Sequence, residues 1–222
     1  MRIHDLSCEI REDMWYYGSP YIPFEMKKIA TMEENGYIAR SILMSTHMGT
    51  HVECDNHWGE DKRTLDQIDL ELFAGKAKVL KFNKPQEKLF EINRQELINA
   101  GGYKLTKGDI CILSTSWDRN IDKDFYVFES PFITIDAAEY LVEREIKLLA
   151  LDFPMCGDPR DGMDFVPEDT IVPDTILYDA GIPCVVGLTA VEELPEEVFF
   201  CGCPLKLIGT DGAPLRAFAI EF

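Results

Sequence analysis

The segment Asp136–Leu151, DAAEYLVEREIKLLAL, joins a predicted helix directly to a predicted buried strand. Its first ten residues are rich in helix formers and begin with an acidic side chain, which stabilises a helix N-terminus. The apolar run KLLAL at its end indicates a buried strand, and the earlier run Asp109–Ser114, DICILS, indicates another. A strand, a helix and a second strand in this order predict an α/β fold.

Further extended segments lie on both sides of this unit. Ala77–Phe82 alternates in polarity and predicts a strand, and Ile182–Leu188 predicts one more buried strand. Near the C-terminus, Leu205–Ile208 and Arg216–Glu221 alternate like a closing pair of strands. No repeat, low-complexity segment or linker interrupts the 222 residues, so we expect a single domain that spans the whole chain.

The chain is strongly acidic, with 40 acidic and 22 basic residues and a formal net charge of −18. Such a surface repels phosphate backbones and anionic lipids, so we expect neither nucleic acid nor a membrane as a partner. No apolar run approaches the ~18 residues of a membrane span, and the N-terminal stretch lacks the pattern of a secretory signal. The seven cysteines then indicate reduced thiols and a cytoplasmic location.

Three of the four histidines lie within eleven consecutive residues, HMGTHVECDNH, from position 47 to position 57. Two carboxylates lie between them, and imidazole with carboxylate suits zinc, manganese or iron. A helix would bring only His47 and His51 to one face, and a straight strand would spread the set along a line. A turn at Gly49 followed by a short extended run places Glu53 beside these two histidines and His57 farther out, because glycine tolerates the backbone that such a turn needs.

This arrangement predicts the division of labour of a metal-dependent hydrolase. Three protein ligands, His47, His51 and Glu53, leave one coordination position open to water, as in catalytic zinc sites. Such a water has a pKa near ~7, and His57 can take up and return a proton because the ordinary imidazole pKa is ~6.5. Histidines without a metal and a structural metal are the alternatives, although structural zinc usually has four Cys or His ligands. We expect one divalent metal, zinc or manganese.

The same residues resemble the signature His-x-Gly-Thr-His-x-Asp-x-Pro-x-His of the cyclase family, which includes bacterial kynurenine formamidase and isatin hydrolase. Five of its seven fixed positions match, and the departures are Glu53 in place of Asp and Asp55 in place of Pro. Supporting similarities extend over nearly the whole chain, at Ile3–Ser7, Phe73–Ala77, Leu113–Trp117, Leu151–Pro154, Cys203–Leu207 and Gly212–Ala217.

The resemblance implies a mixed-sheet α/β fold of the type called swivelling β/β/α, in a homodimer or homotetramer. It implies metal ligation by His47, His51 and Glu53. It also implies a proton-transfer role for His57. The implied reaction is hydrolysis of the C–N bond of a small amide, lactam or related carbonyl substrate.

The departures from the family pattern bear on the number of metals. Members with two metals supply a later His and Glu to the second ion, and these positions fall at Asp174 and Val186 in this chain. Valine cannot ligate a metal, so we expect one ion, with Asp174 or Asp55 as candidates for a supporting or second-metal role. Glu53 is one methylene longer than Asp, so it should place the metal slightly differently or bind it through both oxygens.

A few further residues are candidates for the site. Asp55 is predicted either to hold a histidine by a hydrogen bond or to cap a local turn. Trp58, next to His57, and Trp15, in an early aromatic cluster, are candidates for the wall of a substrate pocket, with core packing as the alternative. The Pro-, Gly- and Asp-rich segment Asp152–Pro173 predicts either a functional loop or a plain solvated one.

Two other functions remain open from the sequence. The altered signature also suits a non-catalytic relative that binds a metal or ligand but has lost turnover. A metal-assisted lyase or isomerase is the other alternative, because a Lewis acid beside a base can also do enolate chemistry. Metal analysis with a panel of amides, lactams and esters distinguishes the hydrolase from a non-catalytic relative. Product analysis in labelled water distinguishes it from a lyase or isomerase.

Overall fold

The computed structural model describes residues 1–83, 87–161 and 170–222. The strands in these residues are β1 (Arg2–Asp5), β2 (Glu25–Ala30), β3 (Ala39–Leu43), β4 (His51–Glu53), β5 (Ala74–Lys81), β6 (Glu91–Ile92), β7 (Ile110–Ser114), β8 (Phe132–Ile133), β9 (Leu148–Leu151), β10 (Cys184–Val186), β11 (Glu197–Cys201), β12 (Gly212–Pro214) and β13 (Phe218–Glu221). The α-helices are α1 (Met32–Asn35), α2 (Arg94–Asn99), α3 (Ile135–Glu143) and α4 (Pro173–Asp179). Among the described residues, no helix is both long enough and apolar enough to span a bilayer.

One mixed sheet of nine strands organises the molecule, in the order β1-β13-β11-β5-β7-β9-β10-β4-β12. The central strands β5, β7, β9 and β10 are parallel to their neighbours in this group, and the flanking pairs are antiparallel. Parallel neighbours need a crossover connection, usually a helix, and α3 connects β7 to β9 while α4 lies between β9 and β10. The strand–helix–strand unit predicted around Asp136–Leu151 is therefore present.

Both faces of the central strands are buried, which explains why their sequences are continuous apolar runs. In β7, Cys111 and Leu113 join one core, whereas Ile110 and Ile112 join a second core on the opposite face. Helices α3 and α4 contribute to the first core, for example through Leu141. This alternation fixes which side of the sheet each strand residue reaches.

Strand β4 carries the centre of the histidine cluster and lies between β10 and β12. Val52 packs in the second core, while His51 and Glu53 point to the opposite face, which α4 covers. Gly49, just before the strand, has φ +62°, in the left-handed region that favours glycine. The turn and short extended run predicted from the sequence are both present.

One predicted strand is wrong. Within the described residues, Leu205–Ile208 forms no strand, and Arg216–Glu221 contains β13, which pairs with β1 and β11 instead. The nearest pairing is an isolated bridge between Pro204 and Leu215. Proline has no N–H to donate, and Pro214 ends β12 beside this bridge, so the ladder does not extend into Leu205–Ile208.

Strands β2 and β3 form a separate two-stranded arm, joined through α1. Nearly all of its residues are exposed, including the apolar side chains of Met26, Ile29, Ile42 and Leu43. Exposed apolar side chains of this kind make the arm a candidate contact surface.

Candidate metal centre

The turn at Gly49 and strand β4 bring His47, His51 and Glu53 together. Glu53 Oε1 lies 3.0 Å from His47 Nδ1 and 3.1 Å from His51 Nε2. All three side chains are buried, and one ligand atom from each lies within 4.8 Å of the other two. Two ligand atoms bound to one zinc ion at ~2.0–2.1 Å with a tetrahedral angle are about 3.3 Å apart. The observed spacing is therefore close to that of ligands around one ion.

The outer hydrogen bonds of the two imidazoles orient their lone pairs towards Glu53. His47 Nε2 donates to Asp211 Oδ2 at 2.6 Å, and His51 Nδ1 donates to the carbonyl oxygen of Gly49 at 2.8 Å. In the neutral rings, the other nitrogen of each then presents a lone pair to Glu53 Oε1. Lone pairs that converge in this way repel each other unless a cation lies among them. The donor set therefore fits a divalent metal, and a proton takes this role in the metal-free protein.

The electrostatics of the cluster agree with this account. Burial alone would lower the pKa of His47, but hydrogen bonds to Asp211 and Glu53 outweigh it and raise the pKa to about 9. Burial lowers the pKa of His51, and Glu53 only partly offsets this. Burial would raise the pKa of Glu53, but hydrogen bonds from His47 and His51 hold it well below its usual value.

Asp211 is a residue of the candidate site that the sequence reasoning missed. Its Oδ2 also lies 3.0 Å from His57 Nδ1, so one carboxylate oxygen connects two histidines. Thr46 Oγ1 donates to Oδ1 at 3.1 Å and fixes the carboxylate further. Asp211 directly precedes β12, whose Gly212 lies opposite Glu53. The one available signal was its place beside the C-terminal segment Gly212–Ala217, which resembles the family.

His57 lies on the short 3₁₀ turn that follows β4. Its ring centroid is 4.4 Å from that of His47, beside the His47–His51–Glu53 group but outside it. With Nδ1 donating to Asp211, Nε2 is left for proton exchange with a molecule in the neighbouring cavity. His47, His57 and Asp211 form a second group whose spacing admits a cation.

Helix α4 contributes two side chains near the cluster. The hydroxyl of Tyr178 donates to Glu53 Oε2 at 3.1 Å and so holds the second oxygen of this carboxylate. Burial, and then the charge of Glu53, raise the pKa of Asp174 to about 7. Among the described residues Asp174 belongs to neither cation-binding group, and Val186 is buried in β10 opposite His51. Among the described residues, Asp174 therefore completes no second group of metal ligands.

Asp55 does not contact a histidine. The chain leaves the strand conformation at Cys54, and the 3₁₀ turn directs Asp55 to Arg63, whose Nε and Nη2 lie 3.1 and 3.2 Å from the two carboxylate oxygens. The prediction that it supports a histidine or a second metal is therefore not met. Its role is the local one, an ion pair that holds the turn after β4.

A cavity of about 1040 Å³ opens beside the metal-ligand cluster, and Glu53, His57 and Trp58 all line it. Trp15 does not line this cavity, because its ring packs against Tyr126 at a centroid distance of 5.1 Å; its neighbour Tyr17 lines the cavity instead. Both ends of the predicted loop Asp152–Pro173 contribute to the wall. Residues 162–169 of that loop lie outside the described residues.

Several known proteins are similar to this chain in sequence or in structure. The model of the family described as putative cyclase matches residues 4–156. A kynurenine formamidase from Geobacillus thermodenitrificans is 26% identical over 197 residues, which cover 88% of this chain and 86% of the relative. Isatin hydrolase A from Labrenzia aggregata, solved with benzyl benzoate, has a TM-score of 0.85 at 23% identity and covers 98% of this chain and 93% of its own.

A third protein, a predicted metal-dependent hydrolase from Bacillus stearothermophilus, has a TM-score of 0.75 at 24% identity and covers 98% of this chain and 97% of its own. The TM-scores show that the nine-stranded mixed sheet with its helices is an arrangement shared with these structures. The predicted cyclase-like α/β fold is confirmed.

Proposed function

Because the chain belongs to the putative cyclase family, we propose that it is a metal-dependent hydrolase of the C–N bond in a small amide, lactam or related carbonyl substrate. The observation that carries the proposal is the convergence of His47, His51 and Glu53 on one point at the wall of a large cavity. The names of its relatives support it, since they include kynurenine formamidase, isatin hydrolase and a predicted metal-dependent hydrolase.

His47, His51 and Glu53 would hold one divalent metal, zinc or manganese, since both accept imidazole and carboxylate. When bound, the metal supplies a Lewis acid that polarises a carbonyl and lowers the pKa of water. Three groups hold these ligands in position: Asp211 and the Gly49 carbonyl orient the imidazoles, and Tyr178 holds Glu53. Partners of this kind typically affect metal affinity by about 10- to 100-fold.

His57 is the general base and acid in this proposal. Asp211 accepts from its Nδ1 and fixes the ring, which leaves Nε2 to accept a proton from the attacking water. The same nitrogen returns the proton to the departing amine nitrogen when the C–N bond breaks. Asp211 also stabilises the imidazolium that forms between the two transfers.

The experiment that tests the function measures metal content and turnover together. We expect the purified protein to hydrolyse members of a panel of formanilides, isatins and other lactams. Hydrolysis should cease after chelation and return when zinc or manganese is added. Metal bound at one ion per chain without turnover on any panel member would favour the non-catalytic alternative.

Metal binding should become tighter as the pH rises. The pKa of His47 is about 9 in the metal-free protein, so this ring is charged at neutral pH and must lose its proton to become a ligand. The apparent affinity should therefore rise about tenfold per pH unit up to about pH 9 and then level off. The pKa values of His51 and Glu53 are lowered, so neither adds a proton near neutrality.

Calorimetric titration with metal at about pH 7.5, in two buffers of different ionisation enthalpy, measures the proton release. We expect close to one proton per metal bound. The same group makes the metal-free protein less stable at high pH, since the contribution of the raised pKa is present below ~6.5 and is lost as the pH rises through about 9. Metal binding with no proton release would contradict the account of His47.

We also propose that the chain forms a homodimer or homotetramer through the exposed β2–β3 arm. In this arm the side chains of Ile29 and Ile42 are 64% and 56% exposed. The double variant Ile29→Glu/Ile42→Glu should shift the assembly to monomers in sedimentation velocity, because burying charge at an apolar contact is unfavourable. Ile208→Glu, at another exposed isoleucine (75%), is the matched control and should leave the assembly unchanged. Equal dissociation by both variants would refute the role of the arm.

The cysteines support a cytoplasmic location, which is also part of the proposal. All seven are free thiols. Cys201 Sγ and Cys203 Sγ lie 3.7 Å apart without a bond. Close thiol pairs persist in a compartment that keeps them reduced.

A further inference from the structure

We propose that the cavity beside the metal-ligand cluster selects a substrate with an aromatic or apolar body and a cationic group, and that Asp174 recognises the cation. This inference takes from the proposed function only that this cavity receives the substrate. It adds a charge class and a specificity-determining residue to that function.

Asp174 is a buried carboxylate in the wall of the cavity. The residue is 6% exposed, and it lines the cavity together with Glu53 and His57. Within the described residues, its carboxylate accepts no hydrogen bond and forms no ion pair with any other residue. A carboxylate in such a position loses most of its hydration without compensation, so a cationic ligand in the cavity would supply the missing partner.

Among the described residues of the cavity wall, the carboxylates are not matched by any lysine or arginine. Its described lining contains no lysine and no arginine, whereas five of its side chains besides Glu53 are acidic, namely Asp136, Glu139, Asp158, Asp161 and Asp174. The guanidinium of Arg160, which lies against Phe132 of the wall, is held by Asp158 and Glu91. An anionic substrate would therefore enter an unfavourable potential, and a cationic substrate a favourable one.

A metal ion is a poorer occupant for Asp174 than an organic cation. Among the described residues, the groups whose ligand atoms converge closely enough for an ion are His47–His51–Glu53 and His47–His57–Asp211, and Asp174 is in neither. A single carboxylate oxygen pair is too few ligands for a divalent metal. An ammonium group, by contrast, needs one carboxylate and an apolar or aromatic surround.

The remaining wall supplies that surround. The rings of Tyr21, Trp58 and Phe132 line the cavity, with the aliphatic side chains of Ile133 and Met155. Aromatic faces attract cations and pack well against an aromatic body. The expected substrate is thus a small aryl amide or lactam that carries an amine, as distinct from one that carries a carboxylate.

The test uses three ligands that differ in charge and share a benzyl group. They are benzyltrimethylammonium, its uncharged carbon isostere neopentylbenzene, and phenylmethanesulfonate. Neither the quaternary ammonium nor the hydrocarbon can ligate a metal, so their difference reports charge alone. Binding to the metal-loaded protein is followed by tryptophan fluorescence, since Trp58 lines the cavity. We expect the cation to bind on the order of tenfold more tightly than the hydrocarbon, and the sulfonate to bind most weakly.

Two variants assign the preference to Asp174. Asp174→Asn should remove most of the tenfold difference, whereas Glu139→Gln, which removes the same charge from an exposed position of the wall, should retain it. Gly157→Ala is a second route, because the added methyl group would lie 3.3 Å from Asp174 Oδ2. It should weaken binding of the cation more than binding of the hydrocarbon.

Each outcome decides the proposal. Equal binding of cation and hydrocarbon by the wild-type protein, or tighter binding of the sulfonate, would overturn it. A cation preference that survives intact in both Asp174→Asn and Gly157→Ala would overturn the role of Asp174. Because all readouts are binding measurements, they stand apart from the turnover panel. Loss of the hydrolase proposal would thus appear as absent turnover, and loss of this inference as absent charge selectivity.

Discussion

We expect Glu53→Gln to abolish metal binding and to reduce hydrolysis by more than about 10³-fold, because the amide removes the negative charge on which both imidazoles converge. The substitution keeps the size of the side chain, and the hydroxyl of Tyr178 can still donate to the remaining oxygen. Without the metal, the reaction loses the several kcal/mol of transition-state stabilisation that a Lewis acid supplies, which corresponds to at least this factor in rate. Elemental analysis and turnover on a hydrolysed panel member measure the two effects together.

Asp55→Asn is the matched control for this variant. It makes the same change of charge two residues away, but its carboxylate is bound to Arg63 and not to the cluster. We expect it to retain one metal per chain and most of the activity, with a modest loss of stability at most. Loss of the metal in Asp55→Asn to the same extent as in Glu53→Gln would contradict the assignment of the ligands.

His57→Ala should keep the metal and lose about 10²- to 10⁴-fold in rate, the usual contribution of a positioned general acid or base. Its ring is outside the His47–His51–Glu53 group, so the ligand set of that group is unchanged. Metal content, rate and the pH profile of kcat/KM are the measurements. The dependence of kcat/KM on pH that the proton-accepting group imposes should also be absent in the variant.

The remaining histidine provides the control. His4 is also largely buried, but its Nε2 pairs with Glu221 at 3.0 Å on strand β1, within the strand pair β1–β13. His4→Ala should leave both metal content and rate unchanged. If His57→Ala instead loses the metal, the His47–His57–Asp211 group holds the ion, and the roles assigned here to Glu53 and His57 are wrong.

The parts of the site that the sequence predicts are those that lie close together along the chain. His47, His51, Glu53 and His57 occupy eleven consecutive residues, and the glycine of the turn lies among them, so local geometry was enough to gather them. The strand–helix–strand unit was predictable for the same reason. Its apolar runs are continuous because both faces of the strands are buried.

The parts that the sequence did not predict depend on pairings distant in sequence. Asp211 reaches His47 and His57 because β12 pairs with β4. Tyr178 reaches Glu53 because α4 packs over the same strand. Neither residue carries a local pattern that indicates these contacts.

Local patterns misled in two places. The position of Asp55 among the histidines made it a candidate for holding one of them, but the chain turns into a 3₁₀ conformation directly after Cys54 and the carboxylate contacts Arg63. Leu205–Ile208 has the alternation of a strand, but it forms none because the neighbouring prolines cannot extend a ladder.

The three-residue strand β4 has a consequence for how the protein acquires its cofactor. Its hydrogen-bonding neighbours come from residues 184–186 and 212–214, more than 130 residues further along the chain. When only the first half of the chain has been synthesised, the histidines are present but the strands that position them are not. We therefore expect the metal to bind only after the sheet has formed. A zinc finger differs, because there the ion drives folding. A shortened chain that ends before Asp211 would lose its ion even though every ligand remained.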